Sequence, residues 1–167
     1  MKENDDLKDD IKDDIKEALM VFLSEYHSKR DYFECHEILE HKWKEKPQGE
    51  RDEFWTALLQ IAVSNYHYRR GNIGGAKKLM ERAKNKIIED RGSYEMLGFD
   101  YENFKGQVIK MLYSIENNIP YESINLSLTK KLEEDYLNYC KDKSLLPFTK
   151  SDLKDLKIVN RHLKENR

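Results

Sequence analysis

Proline and glycine are scarce in this 167-residue chain, at 3 and 7 copies. Apolar residues recur at helical rather than alternating spacing, so a turn-rich β-fold is excluded and an all-α chain is predicted. Cysteine is scarcer still. Cys35 and Cys140 form neither a disulfide framework nor a C-x-x-C pair, which fits a reducing cytoplasm. The longest charge-free stretch, 54–68, is too short to cross a bilayer and contains Gln60, Asn65 and His67. The opening MKENDDLKDD lacks an apolar signal core. A cytoplasmic location with no membrane partner is therefore expected. Neither charge dominates: 30 basic and 32 acidic residues leave a net charge of −2, with no footprint for nucleic acid.

What is present is 38% hydrophobic and 37% charged residues, enough for one core under a heavily charged surface. The periodicity predicts helices over about 10–27, 31–46, 50–70, 72–90 and 100–117. Gly71 suits the left-handed position after the third, and Asn72 can cap the fourth. Between the fourth and fifth, MLGFDYENF is expected as a turn. Two weaker helices follow, about 127–141 and 151–164, with Ser151 as a cap. The acid-rich start (Glu3, Asp5, Asp6, Asp9, Asp10, Asp13, Asp14) is expected as a solvated arm favoured by the first helix's dipole. The reading is an antiparallel helical bundle of about five core helices over 1–119. A helical extension, 120–167, is expected to pack on the same domain.

The second helix carries YFECHEILEHKW (32–43). On a wheel of 100° per residue, Tyr32, Phe33, His36, Leu39, Glu40 and Trp43 share one stripe, with Glu37 at its rim. Glu34 and His41 are expected toward water. The third helix is apolar almost all round, as a central helix should be, except for a narrow strip of Thr56, Gln60, Ser64 and His67. Small neutral groups in so charged a chain predict a shielded cleft. Antiparallel packing of helices two and three would set His36 and Glu40 against Gln60, Ser64 and His67.

The run FECHEILEHKW, then LLQIAVSNYHYRRGN, then GAKKL, resembles the prokaryotic domain-of-unknown-function family numbered three hundred and nine (DUF309). The family's recurrent positions fall on Phe33, Glu34, His36, Glu37, Leu39, Glu40, Trp43, Gln60, His67, Gly71, Asn72 and Ala76. The resemblance covers the central third of the chain. It implies an all-helical fold and an important surface, and it names no substrate.

Metal chemistry is weighed first. A zincin helix needs His at i and i+4, and a di-iron bundle needs Glu-x-x-His; HEILEH supplies neither. His36, Glu40 and His67 remain candidate ligands for one divalent cation, a cofactor that is not favoured. No nucleophile stands beside a base, so an acid–base or metal-dependent enzyme is the alternative. The doublet Arg69–Arg70 could grip an anion near a helix end, or cap carbonyls. GNIGGAKKLMERA resembles the first helix of a tetratricopeptide repeat, but no second copy follows at a 34-residue period. TPR-like hairpin packing is nevertheless expected. The leading expectation is a polar cleft between helices two and three that binds a small molecule or protein partner. It is lined by His36, Glu40, Gln60, Ser64 and His67, walled by Trp43 and rimmed by Glu37. Homo-oligomer formation is compatible with it.

Overall fold

A computed structural model of the chain describes residues 11–160. Among them are eight α-helices, one π-helical turn and no strand. The first helix, α1 (Asp13–Ser24), has Asp13 and Asp14 in its first turn. The other acids of the arm lie outside the described residues. α1 continues as a π-turn (Glu25–Lys29) that stops at Arg30, a non-glycine residue with φ of 51°. α2 (Tyr32–Lys44) begins under an Asp31 cap that accepts the Glu34 amide.

α3 (Glu53–Arg69) is the helix around which the others collect. It packs against both α2 and α4 (Ile73–Glu89). Its composition explains this: Phe54, Trp55, Ala57, Leu58, Ile61, Ala62, Tyr66 and Tyr68 are all buried. The ring of Phe33, early in α2, lies 5.9 Å from that of Tyr66, late in α3, so the pair is antiparallel as expected. The turn into α4 uses Gly71 at φ 84°, where an L side chain would be strained, and the Asn72 side chain accepts the Gly75 amide. α4 turns Ala76, Met80, Ala83 and Ile87 inward, and α6 (Tyr101–Glu116) packs against it.

Three expectations need correcting. No helix is expected between Asp90 and Asp100, yet a short one, α5 (Arg91–Leu97), lies there, capped by Asp90 and ended by Gly98 at φ 102°, and it takes in the first two residues of the expected turn, 96–104. α7 (Lys130–Asp142) is capped by Thr129 rather than starting at Ser127. The Ser127 region instead pairs with the α5–α6 junction through a Phe99–Leu128 bridge. Ser151 caps nothing: α8 (Leu156–Val159) is one turn long and takes Asp155 as its cap. The rest of the expected last helix, 161–164, lies outside the described residues.

The segments after α6 are integral to the core. Leu126, Leu132, Tyr136 and Cys140 belong to the same buried cluster as Leu19, Phe22 and Leu23 of α1. α1 in turn packs against α2 and α7.

Candidate functional site

The buried face of α2 is Tyr32, Cys35 and Leu39, all fully inaccessible. This rotates the expected stripe. α2 packs on α1 as well as α3, and the Cys35 thiol points at the Phe22 carbonyl, 3.8 Å away. That second contact draws the Cys35 side inward and leaves Phe33, His36, Glu40 and Trp43 half-buried at the margin. The His36 side chain is 29% exposed and that of Glu40 36%, so the expectation of deep burial is wrong for both. Burying a carboxylate without full pairing is expensive, whereas a margin position is cheap.

At that margin the pair is real but local. His36 Nε2 lies 3.2 Å from Glu40 and Nδ1 lies 3.6 Å from exposed Glu37. Lys44 Nζ is 2.8 Å from the other Glu40 oxygen. That lysine, then His36, holds the Glu40 carboxyl below its ordinary range despite some desolvation. A carboxylate held ionised is a poor general acid near neutrality. Glu40→Ala should therefore change stability by no more than about 0.5 kcal/mol, the usual scale for exposed helical pairs. Urea denaturation checks this, and a loss above about 2 kcal/mol would show that the His36–Glu40–Lys44 contacts hold the fold.

The polar strip of α3 is also split. Ser64 is fully buried, but its hydroxyl donates to the Ala76 carbonyl of α4 at 2.6 Å. His67 Nδ1 meets the Asn72 side chain at 3.2 Å, beyond the end of the helix. Burial, then the charge of Arg70, pulls the His67 pKa down. No hydrogen bond joins His36 or Glu40 to Gln60, Ser64 or His67. Among the described residues no three His, Cys, Asp or Glu side chains come together to hold a metal ion. The candidate set His36, Glu40 and His67 is thus not assembled, because Ser64 and His67 turn to α4 and its cap.

What remains is a half-exposed strip on the central helix. Thr56, Leu59, Val63 and His67 recur at helical spacing with intermediate exposure. They run between α2 on one side and α4 on the other, the two helices that flank α3. Along this strip four buried polar atoms lack a hydrogen-bond partner: His36 Nδ1, Trp43 Nε1, Thr56 Oγ1 and Gln60 Oε1. The Phe33–Tyr66 register sets Trp43 level with Thr56, and Gln60 stands one turn further along α3. Arg51 covers the Trp43 ring at 4.6 Å. Cavities of about 340, 320 and 200 Å³ lie elsewhere, and these residues line none of the three.

A second polar assembly, not foreseen, fills the corner between α1 and α2. Arg30 is 2% exposed and donates through all three guanidinium nitrogens: to the Thr149 carbonyl, the Ile124 carbonyl and Asn125 Oδ1. His27 is fully buried and accepts the Leu126 amide on Nε2 at 2.9 Å. Arg69 Nη1 donates to the Arg30 carbonyl and to Ser151 Oγ while its guanidinium lies over the Tyr32 ring. The one sequence signal was the Arg69–Arg70 doublet. Nothing marked Arg30, since an arginine between helices ordinarily sits in water.

Helical packing around an apolar α3, with FECHEILEHKW on its flank, defines a class. The chain belongs to the family described as domain of unknown function DUF309, whose pattern it matches over residues 19–79. It is similar to the uncharacterized protein YpuF of Bacillus subtilis (strain 168). The two are 36% identical over 150 residues, spanning 87% of this chain and 84% of that one. No solved structure matches.

Proposed function

We propose that the strip between α2 and α4 is the working surface of the chain. It binds a partner, a protein segment or a small polar ligand, in a shallow groove. α3 provides the floor through Thr56, Gln60, Val63 and His67; Trp43, His36 and Glu40 form the α2 wall, with Glu37 at the rim. One observation carries the reading: the four unpartnered polar atoms on His36, Trp43, Thr56 and Gln60. Each such atom costs roughly 1–3 kcal/mol in the free protein. A partner that supplies an acceptor to the indole and a donor to Gln60 Oε1 recovers that cost on binding. A protein segment suits the site better than an enclosed small molecule, because Thr56, Val63 and His67 are half-exposed along an open strip. Trp43 and His36, both half-buried, are the side chains that turn to admit it. The two buried free cysteines fit work in the reducing cytoplasm.

Surfaces kept for binding carry a stability cost that substitution can remove. Gln60→Leu and Thr56→Val should therefore leave the fold as stable as before, or raise it by about 1 kcal/mol, in urea denaturation. If both destabilise by more than about 1 kcal/mol, these groups are structural and the groove reading fails.

A further inference from the structure

The cavity of about 320 Å³ beside the α1–α2 corner is lined by Tyr121, Glu122, Ser123, Lys150, Ser151 and Leu153. We propose that it is a binding site for a small ligand bearing an oxyanion, a phosphate or carboxylate group. Ser123, Lys150 and the Arg69–Ser151 pair would supply the donors. The site is separate from the groove: it adjoins Tyr32 at the start of α2, whereas Trp43 lies at that helix's other end.

A proton count supports it. Tyr32, Tyr121, Ser123 and Ser151 bring four hydroxyl protons together. Tyr121 Oη meets Tyr32 Oη, Ser151 Oγ at 2.7 Å and Ser123 Oγ at 3.3 Å. Three oxygen–oxygen contacts consume three protons, so one is left over. Tyr32, fully buried, has Tyr121 as its hydrogen-bond partner and donates there. Tyr121 has one proton to give, to Ser123 or to Ser151, and the other serine gives its own proton to Tyr121. The serine that receives from Tyr121 keeps a free proton, and both serines line the cavity.

Charge agrees with the count. Among the described residues neither Arg30 nor Arg69 meets a carboxylate. Their guanidinium donors go to carbonyls, one amide oxygen and the Ser151 hydroxyl. Arg69 Nε is buried without a partner. Lys150 stands exposed on the lining, and Glu122 is the one acid there. Lys150 and Glu122 balance on the lining, and the Arg69 charge at Ser151, which no carboxylate offsets, tips the site positive, as charge-assisted binding of an oxyanion requires. The volume sits at the low end of the roughly 300–1,000 Å³ typical of ligand sites.

Thermal melts of the full chain in inorganic phosphate and in acetate, each against sodium chloride at matched ionic strength, test this. Phosphate should raise the melting temperature in a saturable way that chloride does not. Ser123→Ala and Lys150→Met should each move half-saturation up by about tenfold, the loss of one charge-assisted contact. Lys150→Met removes only an exposed charge, so it decides the matter if Ser123→Ala proves unstable. A response to either anion beyond that of chloride supports the site, and comparing phosphate with acetate tells its two chemistries apart. Neither anion acting more than chloride overturns the proposal. So does a response that Lys150→Met leaves unchanged.

Discussion

Replacing Arg30 with alanine should cost the fold about 3–5 kcal/mol, a large part of what holds a domain of this size together. Arg30 is 2% exposed and ties the α1–α2 corner to two distant segments, 124–125 and Thr149. Nε holds the Thr149 carbonyl at 2.8 Å, Nη1 the Ile124 carbonyl at 2.8 Å and Nη2 the Asn125 side chain at 2.5 Å. Alanine takes the donors from two half-buried carbonyls and leaves a void where the guanidinium lay. Lysine keeps the charge but has no planar fork, so it should recover less than half of the loss. Glycine offers a sharper test. Arg30 has φ of 51°, a region that costs a non-glycine residue about 1 kcal/mol or more. Arg30→Gly should therefore be less damaging than Arg30→Ala by about 1 kcal/mol, the reverse of the order within a helix. Urea denaturation of the three variants decides this. An alanine variant within about 1 kcal/mol of the parent would show that the corner holds itself without the guanidinium.

The corner also shows where reading the sequence alone stops. Helix spacing depends on periods of a few residues, so α2, α3 and α4 were legible from their apolar positions and from Gly71 and Asn72. Which face of a helix is buried depends on how many neighbours it has, and that is not local. α2 touches α1 as well as α3, and this turned Cys35 inward and His36 and Glu40 outward by about one residue step. The strip on α3 was legible as neutral. Its division was not, because Ser64 serves the Ala76 carbonyl and His67 the Asn72 cap, and neither partner shows in α3 itself. Arg30 and His27 were the least legible, since their partners lie about 95–122 residues away along the chain. Short spans such as Arg91–Leu97 carry too little periodicity to separate two helical turns from a loop.

His27 should make the protein acid-labile well above the carboxylate range. Its ring is fully buried against Tyr26, Tyr136 and Phe148, and Nε2 accepts the Leu126 amide, a bond that only the neutral ring can make. Burial, then the charge of Arg30, pulls its pKa from 6.5 down to about 3. Between those values the unfolded chain binds a proton that the native state refuses. Stability is therefore whole above pH 6.5 and falls as the pH drops, by about 1.4 kcal/mol per unit for one proton. Glu25 works the other way: burial raises its carboxyl pKa, with Lys29 opposing, so it adds stability as pH falls through that raised value. A comparison with His27→Gln removes the Glu25 contribution, because both proteins keep it. Glutamine can accept the Leu126 amide without titrating. It should cost about 1–2 kcal/mol at pH 7, from imperfect packing. Between pH 7 and pH 4.5 the difference should shift by about 2–3 kcal/mol in the variant's favour, which closes that gap and then reverses it, as urea midpoints at each pH will show. Parallel curves for the two proteins would mean that His27 takes up its proton in the folded state. The Leu126 segment would then have to be held by Arg30 and the Thr149 contacts alone.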